Sequence, residues 1–93
     1  MNETAFEWDA DKARTNLKKH GVSFDEGATI FNDPMIIAMP DPAHSEQEPH
    51  FIAIGMSTNG RLLVVIFTER GEKTLLSSCR KATQTETEVH ENI

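Results

Sequence analysis

Apolar side chains recur at Ala10, Ala13 and Leu17, with His20 one step on, at spacings of three and four that predict a short amphipathic helix with these residues inward. Asp9 stands at the N-cap position, and Gly21 follows Lys18, Lys19 and His20 as a stop signal. Ser23 is placed to cap a second helix, with Glu26 completing a capping box, Ala28 and Phe31 on the inner side and Asp33-Pro34 at the end. The continuous apolar run Met35 to Met39 reads as a strand, and Pro40 to Pro49, with three prolines and no periodicity, as a loop. Three more strand-like runs follow: His50 to Thr58, Arg61 to Thr68 and Lys73 to Arg80. Thr83 and Glu86 signal a short final helix, too poor in apolar residues to be ordered without fraying or a partner.

The turns between these runs predict how the strands pair. Asn59-Gly60 is the usual pair of a two-residue type I′ turn, which sets Met56 opposite Leu63, Ile54 opposite Val65 and Ile52 opposite Phe67. If Thr68 faces Lys73 across the Arg70-Gly71 turn, Val65 meets Leu76, Leu63 meets Ser78, and Arg61 lies directly opposite Arg80. Two arginines at one end of the sheet repel unless a carboxylate or phosphate neutralises them or they splay into water. The other face, with Phe51, Ala53, Val64, Ile66, Leu75 and Cys79, is also apolar and needs a cover or a partner, a second copy of the chain included.

Composition fits one globular domain over residues 1–93, with 38% hydrophobic and 26% charged residues. The N-terminal segment has no apolar stretch suited to a signal peptide and no window suited to a membrane span, so a cytoplasmic protein without membrane association is expected. The single Cys79 excludes an internal disulfide and is expected to be a small buried hydrophobe. Four scattered histidines form no metal motif, so neither metal nor cofactor is expected. The net charge of −6 argues against a general nucleic-acid binder, but its distribution is uneven. Residues 21–60 hold six acidic side chains and no Lys or Arg, a surface for a basic partner, whereas residues 61–81 carry five basic against two acidic ones.

The run FEWDADKARTNLKKHGVSF, then EGATIFNDP, PDPAHSE, GRLLVVIFTERG and SCRKAT, resembles the BrnT toxins in order and spacing over nearly the whole chain. The resemblance implies an α+β, RelE-like fold: an antiparallel sheet with two N-terminal helices packed on it and a short C-terminal helix. It implies a ribonuclease toxin of a type II toxin-antitoxin system that arrests translation and growth. Such a toxin is neutralised by a basic ribbon-helix-helix antitoxin of the BrnA kind, touches DNA only through that antitoxin, and forms a homodimer or a toxin-antitoxin heterotetramer.

RNA cleavage through the 2′-hydroxyl needs a base, an acid and cations for the phosphorane. Arg61 and Arg80 match family arginines and suit the cationic role, since a guanidinium can clamp two phosphate oxygens. Lys19 and His20 match the KHG motif, and His44 matches the D-x-x-H loop, where a conformationally free segment can present it to substrate. His20 at a helix end equally suits capping or packing, and His44 a plain loop contact. Arg70, Lys12 and Lys81 are candidates for substrate binding, with a solvated charge as the commoner role of Arg70 and Lys12. Glu86 matches the acidic position of the tail, where helix capping is the plainer role. The family commonly has arginine where this chain has His50, Leu75 and Thr87, and tyrosine at His90. These departures raise a second reading: a catalytically attenuated module that binds an antitoxin or another protein without cutting RNA.

Overall fold

The computed structural model describes residues 5–92. Residues 1–4 of the segment read for a signal peptide and residue 93 of the tail lie outside them. The chain runs β1 (Ala5–Glu7), α1 (Ala10–His20), α2 (Phe24–Ala28), a 3-10 turn, β2 (Ile37–Pro40), β3 (Phe51–Met56), β4 (Leu62–Arg70), β5 (Lys73–Lys81) and α3 (Gln84–Glu91). The strands form one sheet in the order β1-β5-β4-β3-β2. The α+β class is as expected, but the sheet is mixed: β1 pairs parallel to β5, Ala5 beside Lys73 and Glu7 beside Leu75. Three residues are too few to carry a period, so this strand left no pattern in the sequence. No described helix is long and apolar enough to cross a membrane.

Local signals at the helix ends hold. The Asp9 carboxylate accepts from the N–H groups of Asp11 and Lys12, and Gly21 ends α1 at φ 69°. Ser23 accepts from the N–H of Glu26, but the box is not completed, because the Glu26 carboxylate turns to Ser57 and Arg61. The expected inner face of α1 is corrected. Leu17 is 51% exposed, and the buried residue of the helix is polar Asn16. The helix abuts the edge of β5 rather than lying across a sheet face. Asn16 Nδ2 donates to the Cys79 carbonyl (2.8 Å), and Oδ1 accepts from its N–H (3.1 Å), so a side chain stands in for a missing strand.

Both hairpin registers differ from those the turn residues suggested. Met56 pairs with Leu62, Ile54 with Val64 and Ile52 with Ile66, one residue short of expectation. Among the described residues only glycines have positive φ, so Asn59 cannot adopt the type I′ conformation. Instead Thr58, Asn59 and Gly60 form a three-residue loop closed by Ser57 N–H to Arg61 O (2.8 Å) and Gly60 N–H to Ser57 O (3.0 Å), with Gly60 at φ 80°. The next turn is Gly71-Glu72, pairing Arg70 with Lys73, and a bulge leaves Ser77 unpaired between Leu76 (opposite Phe67) and Ser78 (opposite Ile66).

A one-residue slip exchanges faces. Ala53, Leu63, Val65, Phe67, Leu76 and Cys79 now share the face that packs on Val22, Phe24 and Ile30 of the helical layer. Each fully buried large side chain there contributes about 1.5–3 kcal/mol. Ile54 and Val64 are buried outside this cluster, on the second face, and α3 packs against β3. The need for a cover on that face is therefore met in part by the tail itself.

The tail is better held than its composition suggested. Thr83 and Glu86 form the full capping box. His90 Nε2 lies 3.0 Å from Asp33 Oδ2, whose carboxylate also accepts from the N–H groups of Met35 and Met56. Those backbone donors, Met56 first, hold the Asp33 carboxyl below its ordinary range.

Candidate functional site

The α1–β5 junction opens into two adjoining cavities. One, of about 360 Å³, lies along α1 and is lined by Lys12, Thr15, Asn16, Lys19 and His20. The other, of about 530 Å³, lies toward the Pro40–Pro49 loop and is lined by His44, Glu46, Glu48 and His50, with Ile66 on its floor. Lys12, Ser77 and Ser78 belong to both, so the two form one cleft whose hinge is the β5 bulge. Lys12 is one helical turn from Asn16 and two from Lys19, which puts both amines on the face of α1 that the Asn16 contact turns toward β5.

The loop is not conformationally free, contrary to expectation. The Asp41 N–H donates to the His50 carbonyl (2.9 Å), Ser45 Oγ donates to the Asp41 carbonyl (2.6 Å), and the His50 N–H donates to Ser45 Oγ (2.9 Å). Asp41 is buried and lies 2.5 Å from His44 Nδ1. Arg70 clamps the loop from the β4 end through both oxygens of Glu48 (2.7 and 3.2 Å), and holds that carboxyl below its ordinary range. His44 is therefore presented by a braced scaffold.

The arginines are placed differently from the sequence-based pairing. Arg61 and Arg80 are not opposite one another: Arg80 pairs with Val64 on the second face, and Arg61 precedes β4 and turns toward α2. Arg61 holds both oxygens of buried Glu26, with Nε to Oε2 at 2.9 Å, and Ser57 donates to the same carboxylate (2.7 Å). The guanidinium keeps the Glu26 carboxyl low, at about 2, despite burial that opposes ionisation. Arg80 is bidentate to Glu86 (2.7 and 2.8 Å), which likewise brings Glu86 to about 2. Arg70 is engaged with Glu48, and Lys81 sits exposed opposite Leu63, outside the cleft. Of the proposed site residues, the structure brings together Lys12, Lys19, His20 and His44 and leaves Arg61, Arg70, Arg80 and Lys81 apart from them.

Cys79 is fully buried, as expected, and burial pushes its thiol up to about 12, so it stays protonated and unreactive. Among the described residues no three His, Cys, Asp or Glu side chains converge as metal ligands would.

A sequence profile described as the ribonuclease toxin BrnT of type II toxin-antitoxin systems matches residues 8–86. The chain belongs to the BrnT family. The crystal structure of the Brucella abortus ribonuclease toxin BrnT is similar, with a TM-score of 0.64 and 26% identity over 88% of this chain and 100% of that one. No curated protein sequence matches the chain.

The four positions at which the resemblance led one to expect arginine or tyrosine have definite places in this BrnT chain. His50 lines the larger cavity, Leu75 lies in β5 between Glu7 and Thr68, Thr87 Oγ1 donates to the Thr83 carbonyl (2.8 Å), and His90 reaches Asp33. Ser77 and Ser78 at the bulge and the role of Asn16 are not among the features the sequence points to. A bulge depends on the partner strand and leaves no local signature, but Asn16 carried a hint: a polar residue amid a helical apolar pattern.

Proposed function

We propose that this BrnT chain is an endoribonuclease acting in the cytoplasm, on a RelE-like single-domain scaffold, and that it cuts RNA in the cleft between α1, the Pro40–Pro49 loop and the β5 bulge. The observation that carries this reading is the meeting of Lys12, Lys19, His20 and His44 around one groove, with cations on one wall and imidazoles at both ends. Attack of the 2′-hydroxyl on the neighbouring phosphorus then yields a 2′,3′-cyclic phosphate and a free 5′-hydroxyl. The lysines stabilise the phosphorane charge, and imidazoles lining the cleft move the protons. Arg61 and Arg80 serve the scaffold, each consumed by a carboxylate. Incubating the purified protein with end-labelled RNA tests the proposal: products ending in cyclic phosphate are expected, and no cleavage of any RNA rejects it.

The family reading also brings an antitoxin partner, here a basic ribbon-helix-helix protein that carries the DNA contact, in a heterotetramer with the toxin. In the stretch 21–60, without Lys or Arg, Glu26 and Asp41 are buried, Asp33 meets His90 and Glu48 meets Arg70, so exposed Asp25 and Glu46 are what favour a basic partner. Native mass spectrometry of the co-expressed pair checks the stoichiometry.

One observation favours the second reading, a module that keeps antitoxin binding and has lost cleavage. All three arginines of β4 and β5 and the turn before them are neutralised by Glu26, Glu48 and Glu86. Growth arrest on expression without the antitoxin separates the two.

A further inference from the structure

His50 lines the same 530 Å³ cavity as His44. The two rings are anchored alike. His44 Nδ1 lies 2.5 Å from Asp41 Oδ2, and His50 Nδ1 lies 3.0 Å from the Glu48 carbonyl oxygen. A carbonyl oxygen and a carboxylate oxygen only accept, so each ring carries its proton on Nδ1 and keeps Nε2 for a ligand. Each anchor is itself fixed: Asp41 is buried within the loop, and Glu48 is gripped by Arg70.

We infer that His50 and His44 act as an acid–base pair for phosphodiester cleavage in this chain, so that the proton chemistry of the site rests on two imidazoles. The inference rests on the ribonuclease reading above. Nε2 of His50, whose ring is backed by a neutral carbonyl, takes the 2′-hydroxyl proton as the 2′-oxygen forms its bond to phosphorus. The bond from phosphorus to the 5′-oxygen breaks, and that oxygen receives the proton from Nε2 of His44, whose imidazolium charge is met by Asp41. No electrons change hands, and the products are a 2′,3′-cyclic phosphate and a 5′-hydroxyl. Lys12 on the α1 wall supplies positive charge, and Ser77 and Ser78 supply uncharged hydroxyls from β5. The other charged groups facing the pair are Glu46 and Glu48 of the loop, the latter paired to Arg70 of β4.

The test is cleavage of a fluorogenic oligoribonucleotide from pH 5 to 9 by the wild type, His50→Gln and His44→Gln. The wild type is expected to give a bell-shaped kcat profile. Each variant is expected to lose about 100-fold or more in kcat and one limb of the bell. A uridine 3′-phosphodiester with a 4-nitrophenyl leaving group needs no proton donor, so it is expected to restore turnover to the His44 variant and not to the His50 variant. Urea midpoints verify that both variants are folded. A His50→Gln enzyme with the wild-type rate, or with a uniform loss that keeps both limbs, overturns the inference and leaves the ribonuclease reading standing. A wild type that cuts no RNA overturns both.

Discussion

Asn16 and Cys79 form a two-point backbone mimic: the carboxamide donates to the Cys79 carbonyl and accepts from its N–H, as a neighbouring strand would. The same amide also donates to the Val22 carbonyl (3.0 Å) and so ties the turn after α1 to the sheet. Truncating Asn16→Ala leaves buried backbone groups without partners, at a cost of about 1–3 kcal/mol for each. Urea unfolding is expected to show a lowered midpoint with an unchanged slope. Because α1 carries Lys12 and Lys19 into the cleft, cleavage is expected to fall even under conditions in which the variant is fully folded.

Gly27 seats α2 on the sheet with no room to spare. A Cβ built there meets Cys79 Sγ at 2.7 Å and Cys79 Cβ at 3.3 Å. Gly27→Ala is expected to destabilise the fold by about 1–3 kcal/mol through overpacking. Removing the sulfur relieves the clash, so Gly27→Ala with Cys79→Ala is expected to be more stable than the sum of the two single changes predicts, with coupling of about 1 kcal/mol. Additive single effects in a double-mutant cycle count against this account.

Acid sensitivity follows from two of the three arginine–carboxylate pairs. Glu26 and Glu86 titrate near 4.5 when unpaired and are brought to about 2 in the fold, so the unfolded chain binds more protons between those values. The stability the pairs contribute is fully present above about pH 4.5 and is lost as the pH falls toward 2. Urea midpoints measured from pH 6 to pH 2.5 are expected to decline for the wild type. The decline is expected to be shallower for Glu26→Gln and Glu86→Gln, whose residual stability at pH 6 is lower. Parallel curves for all three proteins contradict the assignment.

Signals confined to a few neighbouring residues were legible in the sequence. The caps at Asp9, Ser23 and Thr83, the stop at Gly21 and four of the five strands needed only local chemistry. Registers were not legible, because they depend on a choice among turn types that Asn59-Gly60 leaves open. Choosing the two-residue turn slipped β4 by one position against β3, and setting Thr68 rather than Arg70 opposite Lys73 brought Arg61 face to face with Arg80. The motif residues of α1 and the D-x-x-H loop did converge, since each motif lies on one short element beside β5. Their shared floor at Ser77 and Ser78 exists only because β5 carries one residue more than β4 accommodates, a property of two strands together.

Lys12 and Arg61 offer opposite tests of where the phosphate sits. Lys12 stands at the junction of the two cavities, while Arg61 is committed to Glu26 across the base of α2. A charge-assisted contact to a scissile phosphate is worth about 10- to 100-fold in rate, so Lys12→Ala is expected to lower kcat/KM by that factor and to leave the urea midpoint near that of the wild type. It is also expected to flatten the dependence of substrate binding on salt, since one fewer counterion is released. Arg61→Ala leaves the buried Glu26 carboxylate without its partner, so the expected signature is the reverse: a lower urea midpoint, with near-normal turnover once the fraction folded is taken into account. Were Arg61→Ala to abolish turnover in fully folded protein while Lys12→Ala did not, the phosphate site would belong at the β3–β4 turn and not in the cleft beside β5.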